Sequence, residues 1–585
     1  MKPTRLFDLL SYQATQFPDL DIFVSKINEE WVGIKTSDFI QKVNQLSLSL
    51  LNYGIKKDDK IALICENRVE WNIIDFAVQQ IGAVFVAIYP NISDQDYEFI
   101  FNDAEIKLAF VSTDTLYKRL INLKEGITSL QDVFTINQYP NLPNYQMLFN
   151  LKDNISFDLD AIKNTINVND LASLLYTSGT TGKPKGVMLT HKNLMADVMS
   201  SEYSFPVKAH QRALSFLPAC HAYERVFQYV YMYKGLSIYF ATSLDTIGVD
   251  IKQVKPHIFS AVPRVLEKIF DKIMAVGNDL TGIKKSLFFW AVSVGENYTI
   301  ENRSWLYNIK LNVARKLIFS KWKDALGGDI VGIASGSAAL QERLLTLYLA
   351  AGIPIYEGYG LTEAGPCLAV NCFKRGMHIG TVGVPLINID IKLAEDGEIL
   401  AKGDNVMQGY YKNAAATAEV LKDGWLHTGD IGTWIDNKYL KIIDRKKEMF
   451  KTSGGKYIVP QALESKMLES PYIEQIMVIG EGQKFPAALV VPNYDNLIAW
   501  AKANSLPIVN LPKADFLKQT LIFDKINLEI GIKNQFFGNF EQIKKIRIIT
   551  NEFSIESGEL TPTLKMKRKI ITEKYSNFIN DLYQS

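Results

Sequence analysis

Residues 176–186 read Tyr-Thr-Ser-Gly-Thr-Thr-Gly-Lys-Pro-Lys-Gly and directly follow the apolar run 171–175. A short apolar run before such a segment predicts a buried strand that ends in a loop. Glycines let the backbone approach a ligand closely, while hydroxyls and lysines supply donors and charge for phosphate oxygens. The stretch therefore predicts a polyphosphate-binding loop. Its candidate residues are Ser178, Gly179, Thr180, Thr181, Gly182, Lys183, Lys185 and Gly186.

Two other interpretations of this loop were weighed. A Walker A loop needs four residues between its glycines and a Ser or Thr after the lysine. Here two residues separate Gly179 from Gly182, and Pro184 follows Lys183, so the spacing excludes a P-loop NTPase. A flexible linker is also rich in Gly, Ser and Thr, but it seldom follows a buried strand or carries spaced lysines.

Strand-like and helix-like segments alternate on both sides of the loop. Segment 61–65 is apolar, 70–81 has helical spacing, and 83–89 is again apolar and β-branched. This alternation predicts βαβ units around a parallel sheet. Further strand-like runs lie at 107–112, 171–177, 236–241, 257–262, 330–334 and 353–356.

The pattern changes from about residue 380, where short alternating segments with Asp-Gly turns indicate antiparallel strands. A charge run at 444–448 and a Ser-Gly-Gly at 453–455 then indicate a boundary. We predict the α/β class: a large N-terminal region of parallel-sheet α/β subdomains with a small β-rich subdomain, followed by a small C-terminal α/β domain. The predicted bounds are 1–443 with the β-rich part at 380–443, a hinge at 444–449, and 450–585, closed by a helix at 567–582.

Composition limits the partners. The chain has 585 residues, of which 47% are hydrophobic and 22% charged, with 64 Lys plus Arg against 63 Asp plus Glu. So balanced a charge gives no argument for nucleic acid or an anionic membrane as the main partner. Four cysteines form neither a disulfide framework nor a zinc-ligand pattern. With no secretory leader pattern, no apolar run of about 18 residues and no strongly basic amphipathic anchor in view, we expect a cytoplasmic protein.

A second segment whose side chains could bind a ligand follows the strand-like run 353–356. Residues 356–363 read Tyr-Glu-Gly-Tyr-Gly-Leu-Thr-Glu. Tyr359 offers a ring for stacking on a flat heterocycle, Thr362 a donor for phosphate, and Glu363 oxygens for magnesium. The alternative is a glycine-rich turn with a packed tyrosine.

Three further residues indicate a binding site only when they are considered together with the segments above. Asp430 ends the stretch 425–430 and could accept from sugar hydroxyls, or simply be a turn residue. His221 stands among apolar neighbours, where a satisfied core histidine is the ordinary interpretation. Lys565 lies in the basic stretch 560–568, which alone would be a solvated charge run.

The order and joint presence of these segments resemble the AMP-forming adenylate superfamily of acyl-CoA synthetases, peptide-synthetase adenylation domains and luciferases, over nearly the whole chain. Within it, the chain is most similar to the long-chain fatty acyl-CoA synthetases. That similarity rests on the Leu-Pro-x-x-His-x-x-Glu-Arg segment 217–225, the insert 270–328 and the stretch 560–568.

The resemblance implies a two-step reaction with ATP, Mg²⁺ and CoA. Fatty acid and ATP form an acyl-adenylate and pyrophosphate, and CoA then displaces AMP, with rotation of a mobile C-terminal domain between the steps. Lys565, Glu363, Thr362 and His221 are the implied catalytic residues, and Glu363 and Thr177 the implied metal ligands. Leu564 stands where relatives outside the long-chain group more often have glycine, so Lys567 is the alternative to Lys565.

The resemblance also implies the contacts to nucleotide and CoA. Adenine is assigned to Gly336, Ser337 and Tyr359, and the ribose to Asp430 and Arg445. Lys447 is the implied hinge residue, and Gly454 borders the incoming pantetheine. The full set of implied contacts outside the phosphate loop is Gly336, Ser337, Glu357, Gly358, Tyr359, Gly360, Asp430, Arg445, Lys447 and Gly454.

Several alternatives stay open at this stage. A fatty acyl-AMP ligase or acyl-carrier-protein synthetase would share the first step, and a medium-chain or aryl acid would preserve every nucleotide motif. A non-catalytic sensor would be expected to lose Glu363 or Lys565, and both are present. The aromatic residues Phe270, Phe288, Phe289 and Trp290 either line an acyl channel or form core. Peripheral contact with the inner face of the membrane and a homodimer are left open.

Overall fold

The computed structural model describes residues 2–150, 156–177, 183–243, 246–561 and 565–584. The chain forms two compact units. The first comprises Met1–Ser337, Leu344–Lys392 and Leu400–Thr428. The second comprises Ala338–Arg343, Leu393–Ile399 and Gly429–Ser585.

The strands of the described residues are β1 Asp21–Ile27, β2 Glu30–Lys35, β3 Lys60–Ile64, β4 Val84–Ala87, β5 Ile106–Val111, β6 Asp132–Thr135, β7 Leu171–Thr177, β8 Lys185–Thr190, β9 Arg212–Ser215, β10 Ser237–Phe240, β11 Ile258–Ala261, β12 Gly332–Ser335, β13 Ile355–Tyr359, β14 Ala369–Val370, β15 Val384–Pro385, β16 Ile389–Leu393, β17 Glu398–Gly403, β18 Gly409–Tyr410, β19 Leu421–Lys422, β20 Trp425–Ile435, β21 Tyr439–Arg445, β22 Phe450–Lys451, β23 Tyr457–Ile458, β24 Ile473–Ile479, β25 Ala487–Pro492 and β26 Lys545–Ile548.

The α-helices of the described residues are α1 Asp8–Gln16, α2 Thr36–Tyr53, α3 Val69–Gln79, α4 Asp94–Asp103, α5 Asp114–Leu123, α6 Leu159–Asn164, α7 His191–Ser201, α8 Ala222–Lys234, α9 Ile247–Val254, α10 Pro263–Asp279, α11 Gly282–Glu296, α12 Trp305–Ala314, α13 Ser320–Ala325, α14 Glu342–Ala350, α15 Ala414–Val420, α16 Pro460–Met467, α17 Tyr494–Ala503, α18 Lys513–Phe516, α19 Thr520–Asn534, α20 Arg568–Lys574 and α21 Ser576–Gln584.

Two large sheets organise the first unit. One has the order β15-β14-β13-β12-β11-β9-β10-β1-β2, and the other has the order β18-β8-β7-β4-β3-β5-β6. The central strands, β13-β12-β11-β9-β10-β1 in the first sheet and β7-β4-β3-β5 in the second, are parallel, and their apolar residues are almost entirely buried, as expected for strands covered on both faces. Antiparallel strands such as β2 and β18 lie at the edges. The predicted parallel-sheet α/β region is confirmed.

The phosphate-loop stretch is a β-hairpin connection. β7 and β8 pair antiparallel, from Leu171 opposite Thr190 to Thr177 opposite Lys185. The buried strand expected at 171–177 is confirmed, and the second half of the stretch continues as a strand and not as a helix. Residues 178–182 lie outside the described residues.

A buried ion pair lies between β7 and the helices α3 and α8 of the first unit. Arg225 Nη2 is 2.6 Å from Asp75 Oδ1, and both side chains are fully buried. Arg225 also donates to Ser173 Oγ and to the Tyr229 hydroxyl, and Tyr229 donates to Asp75. Because a buried charge is tolerated only when it is paired and hydrogen-bonded, this cluster ties α3, α8 and β7 together.

The second unit is a smaller α/β structure. β20 pairs antiparallel with β21, from Asp430 opposite Arg445 to Ile435 opposite Tyr439. The three-stranded sheet β24-β25-β26 has a buried apolar cluster on each face. The helix predicted at 567–582 is divided at Tyr575 into α20 and α21, because the last turn of α20 ends with Tyr575 outside helical geometry.

Among the described residues, no helix is long and apolar enough to cross a membrane.

Candidate active site

Several predicted site residues meet at one edge of the nine-stranded sheet. β9, β11, β12 and β13 are parallel neighbours. Ligands of open α/β sheets bind at the carboxyl ends of parallel strands. The residues at or just after these ends are His221 after β9, Gly336 and Ser337 after β12, Glu357, Gly358 and Tyr359 within β13, and Gly360 after it. The sheet therefore gathers residues that are up to 139 positions apart in the chain, from His221 to Gly360.

His221 is the N-cap of α8. Its Nδ1 accepts from the backbone N–H of Tyr223 at 3.2 Å, which satisfies one of the donors that a helix start leaves open. Asn67 holds the loop that leads to it, because its Nδ2 donates to the Leu217 carbonyl at 2.6 Å and its Oδ1 accepts from Ala219 N–H at 2.8 Å. Sequence reasoning missed Asn67, since nothing near it in the chain indicates this partner.

A buried carboxyl supports the same helix start. Glu224 accepts hydrogen bonds from Ser215 at the end of β9 and from Ser260 in β11. Burial raises the pKa of Glu224 to about 7, and the two hydroxyls oppose that rise. Helix α8 is thus bonded to two of the strands whose ends carry the site.

The turn after β12 is closely packed. A Cβ on Gly336 would lie 3.0 Å from the Tyr223 ring, so a larger residue here would displace that ring. Ser337 has a φ of +70°, a left-handed conformation that is uncommon for a residue other than glycine. This turn therefore holds the backbone of Gly336 close to the Tyr223 ring.

The turn after β13 is tighter still. A Cβ on Gly360 would lie 1.9 Å from the Pro366 carbonyl oxygen, so only glycine fits. Thr362 and Glu363 follow in a short 3-10 turn. The segment just before β18 holds the backbone of this turn, because Met407 N–H donates to the Glu363 carbonyl at 2.9 Å.

Tyr410 joins two of the predicted site residues. Its hydroxyl donates to Glu363 Oε1 at 2.8 Å, and Lys185 Nζ lies 5.0 Å from the centre of its ring. β18 pairs with β8, so the hairpin that carries Lys185 and the turn that carries Glu363 converge on this side chain. Sequence reasoning missed Tyr410, which stands in an unremarkable Gly-Tyr-Tyr segment far from both partners.

The base of the phosphate hairpin is also fixed. Tyr176 donates its hydroxyl to Asp103 Oδ2 at 2.6 Å, and burial together with that carboxylate raises the pKa of Tyr176. Lys183 Nζ lies 5.8 Å from the Phe99 ring centre and its side chain is exposed. The hairpin is therefore anchored next to Thr177 and Lys185, which face each other at the end of β7 and the start of β8. Ser178, Gly179, Thr180, Thr181 and Gly182 lie outside the described residues.

The donor chemistry fits Mg²⁺. Glu363 offers one oxygen beyond that bonded to Tyr410, and Thr177 offers a hydroxyl. Among the described residues no three His, Cys, Asp or Glu side chains cluster as a metal site. Magnesium is commonly held by one or two carboxylates with substrate phosphates and water, so a sparse protein donor set suits it.

In the second unit, Asp430 and Arg445 form an ion pair across β20 and β21. Arg445 Nε is 3.1 Å from Asp430 Oδ1, with the aspartate buried and the arginine half-exposed. The strand register places the two residues opposite each other. Gly429, with a φ of +73°, donates its N–H to Glu398 Oε1 at 3.0 Å and so fixes the residue before Asp430. Both members of the predicted ribose site are therefore brought together.

Lys447, Gly454 and Lys565 are exposed residues of the second unit, and the first two lie in turns. Lys447 follows β21, and Gly454 lies between β22 and β23. Lys565 N–H donates to Thr561 Oγ1 at 3.0 Å, and Thr561 N–H donates to the Lys565 carbonyl at 2.8 Å. Lys567, the alternative to Lys565, is the N-cap of α20.

A small apolar cavity of about 20 Å³ lies between α7, α8 and β14 in the first unit. Tyr223, Phe227 and Val230 of α8 form one wall, and the side chains of Val370 and Leu386 contribute to another. Asp197 also lines it and is fully buried; its Oδ2 accepts from Cys367 N–H at 3.0 Å, and burial raises its pKa. Of the aromatic residues predicted to line a channel or form core, Phe270 and Phe288 are buried against Trp322, which favours the core alternative for these two.

Family models match most of the chain. The AMP-binding enzyme model matches residues 10–411, and the AMP-binding enzyme C-terminal domain model matches residues 448–585. This chain belongs to the AMP-binding enzyme family. The resemblance inferred from the sequence motifs is confirmed.

Among curated relatives of this AMP-binding enzyme, long-chain-fatty-acid–CoA ligase 1 of Homo sapiens is 33% identical over 95% of this chain and 83% of its own length. Long-chain-fatty-acid–CoA ligase FadD15 of Mycobacterium bovis is 31% identical over 97% of this chain and 95% of its own.

Solved structures show the same fold at low identity. The anthranilate CoA ligase AuaEII in complex with anthranoyl-AMP has a TM-score of 0.73 at 16% identity, with 98% of each chain covered. O-succinylbenzoate CoA synthetase of Bacillus subtilis in complex with ATP and magnesium has a TM-score of 0.67 at 19% identity, with 96% of this chain and 98% of that chain covered.

Proposed function

We propose that this AMP-binding enzyme activates long-chain fatty acids with ATP and transfers them to CoA, through an acyl-adenylate, with release of pyrophosphate and AMP. The observation that carries the proposal is the convergence of His221, Gly336 and Tyr359 at the carboxyl ends of parallel strands in one sheet. The long-chain ligases among the relatives support the same substrate class.

The first step joins two anions. A carboxylate oxygen of the acid attacks the α-phosphorus of ATP, and the bond from that phosphorus to the pyrophosphate oxygen breaks. Positive charge and donors must screen the approach, because like charges repel strongly in a water-poor site. In the proposal Lys565, Thr362 and the hairpin lysines Lys183 and Lys185 supply this screening, and His221 contacts the carboxylate.

Glu363 and Thr177 are the proposed magnesium ligands. When bound, the ion supplies positive charge next to the phosphate oxygens. Tyr410 holds Glu363 through its 2.8 Å hydrogen bond and so orients the carboxylate. This places an orienting residue behind a metal ligand, an arrangement that commonly tunes metal sites.

The nucleotide contacts follow the same proposal. Gly336, Ser337 and Tyr359 border adenine, Asp430 and Arg445 hold the ribose, and Glu357, Gly358 and Gly360 shape the strand end. Asp430 is suited to sugar hydroxyls because a carboxylate accepts several hydrogen bonds, and its ion pair with Arg445 orients it.

In the second step the CoA thiolate attacks the carbonyl carbon of the acyl-adenylate, and the bond to the AMP oxygen breaks. Lys565 serves only before this step, so we propose that the domain 450–585 turns about a hinge at 444–449, with Lys447 as the pivot and Gly454 beside the incoming pantetheine. Alternation of two states around a hinge is a common device in enzymes that perform two reactions. The cytoplasmic location and the homodimer stay predictions.

The test is formation of AMP and thioester by purified protein with ATP, Mg²⁺ and CoA, across acids from short to very long chains. We expect both products in equal amounts, with the highest kcat/KM for long chains. Acyl-AMP accumulating without consumption of CoA would instead indicate a carrier-loading ligase. A maximum at aryl or medium-chain acids would overturn the substrate class while leaving the chemistry intact.

A further inference from the structure

A long exposed helix of the first unit carries apolar residues on its solvent side. α12, the π-helical turn Arg315–Phe319 and α13 follow one another without a break, and we call this segment, residues 305–325, the basic helix. Its inner side, including Leu311, Ala314 and Ile318, is buried. Its outer side exposes Trp305 by 70%, Ile309 by 51% and Leu317 by 44%, together with Leu306 and Val313.

These exposed residues share one face. Positions 305, 309, 313 and 317 recur every four residues, which on a helix forms a single stripe. The opposite side is fastened to the unit, since the Tyr307 hydroxyl donates to the Val294 carbonyl at 2.7 Å and Arg315 Nε donates to the Ala350 carbonyl at 2.8 Å. The stripe is therefore a fixed surface feature and not a core face left open by a loose helix.

The charges beside the stripe have one sign. The basic helix contains five Lys or Arg and a single acidic residue, Asp324, in a chain whose overall net charge is +1. Lys310, Lys316 and Lys321 are exposed, and within the described part of the chain no carboxylate lies within ion-pair distance of them. Side chains of this kind can extend their ammonium groups beside buried apolar neighbours.

α19 in the second unit provides a contrast. It also exposes apolar side chains, Leu521, Leu528 and Ile532. Its lysines are neutralised, however, because Lys525 pairs with Glu529 at 2.7 Å and Lys533 pairs with Glu469 at 2.9 Å. Both helices thus expose apolar side chains, and lysines with no carboxylate of the described residues at ion-pair distance distinguish the basic helix from α19.

We propose that the basic helix docks on an anionic lipid bilayer, with Trp305, Ile309 and Leu317 entering the headgroup–acyl boundary and Lys310, Lys316 and Lys321 contacting the headgroups. An apolar stripe flanked by lysines, with a tryptophan at one end, is the pattern of interfacial helices. The inference deepens the proposed function and rests on it in one respect. Long-chain acids partition into lipid bilayers, so an enzyme that activates them meets its substrate at the bilayer surface. The sequence analysis missed this surface because the stripe becomes evident only once the buried side of the helix is known.

The experiment is sedimentation of the full-length protein with sucrose-loaded vesicles. One set of vesicles consists of phosphatidylcholine alone, and the other contains about 30% phosphatidylglycerol in phosphatidylcholine. We expect partitioning into the anionic vesicles to exceed that into neutral vesicles and to fall with salt. The triple variant Lys310→Gln, Lys316→Gln, Lys321→Gln should lose about 100-fold in partition coefficient, at about five-fold per lysine. The variant Ile309→Ser, Leu317→Ser should lose a comparable amount through the apolar contacts.

The matched control is Leu528→Ser, Ile532→Ser in α19, which removes a similar exposed apolar area from the neutralised helix. We expect it to partition like the unchanged protein. Bromine-labelled lipid should quench part of the tryptophan fluorescence, and Trp305→Phe should abolish that quenching. All substitutions are at exposed positions, so the fold is expected to persist.

Three results would overturn the docking surface. One is equal binding to neutral and anionic vesicles. The second is loss of binding in the α19 control instead of the basic-helix variants. The third is a dimer in sedimentation equilibrium that the basic-helix variants convert to monomer, with no vesicle binding, which would make the stripe a protein interface. Thioester formation from an acid dispersed in detergent tests the proposed function separately, because the basic-helix variants should retain that activity in full.

Discussion

The two units hold their candidate site residues in different ways. In the first unit, Glu363 is bonded to Tyr410 and His221 caps a helix that is tied to the sheet by buried polar groups. In the second unit, Lys447 and Lys565 are exposed. The difference concerns support: contacts between residues distant in sequence hold the site residues of the first unit, which we call the braced unit, whereas the two lysines of the second unit lie at its surface.

The largest expected effect is on the stability of the braced unit. Arg225→Met leaves the Asp75 carboxylate buried and uncompensated, and should lower the free energy of unfolding by about 3–5 kcal/mol. The double variant Asp75→Leu, Arg225→Met should recover most of the loss. Denaturant titration measures both, and a change below about 0.5 kcal/mol for Arg225→Met would contradict the bracing argument.

Removal of Lys565 should act on one step only. Lys565→Ala is expected to reduce adenylate formation by about 10²–10³-fold, because one positioned charge near the reacting phosphate is lost. Thioester formation from supplied acyl-AMP should be nearly unchanged, and so should stability, since the side chain is exposed. Lys567→Ala is the control. Equal loss in both steps, or a larger effect of Lys567→Ala, would refute the assignment.

The Tyr410–Glu363 hydrogen bond of the first unit can be tested with two variants that differ in their expected effect. Glu363→Gln should lower adenylate formation by about 10²-fold and raise the Mg²⁺ concentration needed for half-maximal rate. Tyr410→Phe removes only the 2.8 Å hydrogen bond and should cost about ten-fold, with the same shift toward higher Mg²⁺. Chelation of the metal should abolish the first step in each protein. A Tyr410→Phe enzyme with unchanged magnesium dependence would remove Tyr410 from the site.

Lys447→Pro tests the hinge proposed for the second unit. Proline fixes φ, so a hinge residue replaced by it can no longer change its backbone conformation. We expect the second step to slow about ten-fold while adenylate formation changes little. Lys447→Ala, which leaves the backbone free, should behave like the unchanged protein. Equal slowing of the two steps would argue that Lys447 is not the pivot.

A further test of the braced unit is the pH dependence of its stability. The pKa of Glu224 is about 7 in the fold, above its ordinary value of 4.5, so the folded state keeps a proton that the unfolded state has lost between these values. Stability should therefore fall as pH rises from about 4.5 to 7, by no more than about 1.4 kcal/mol per unit, and level off above. Glu224→Gln should remove this slope, and an identical pH profile for the variant would disprove the shift.

The sequence predicted local features well and distant ones poorly. The strands at 61–65, 171–177 and 257–262 are signalled by their own apolar residues, and the phosphate stretch by its composition. Tyr410 and Asn67 were missed because their partners are remote: Tyr410 is 47 residues from Glu363, and Asn67 is 150 residues from Leu217. No short pattern encodes such a contact, since it depends on which strands become neighbours in the sheet.

The turn after β13 limits what mutation can achieve in this enzyme. Any side chain at Gly360 would collide with the Pro366 backbone, which a rotamer change cannot relieve. Phe227 and Val230 in the cavity wall, by contrast, are side chains whose volume can change while the backbone stays in place. Substitutions at Phe227 or Val230 should therefore leave the turn after β13 unchanged, whereas any substitution at Gly360 should displace its backbone.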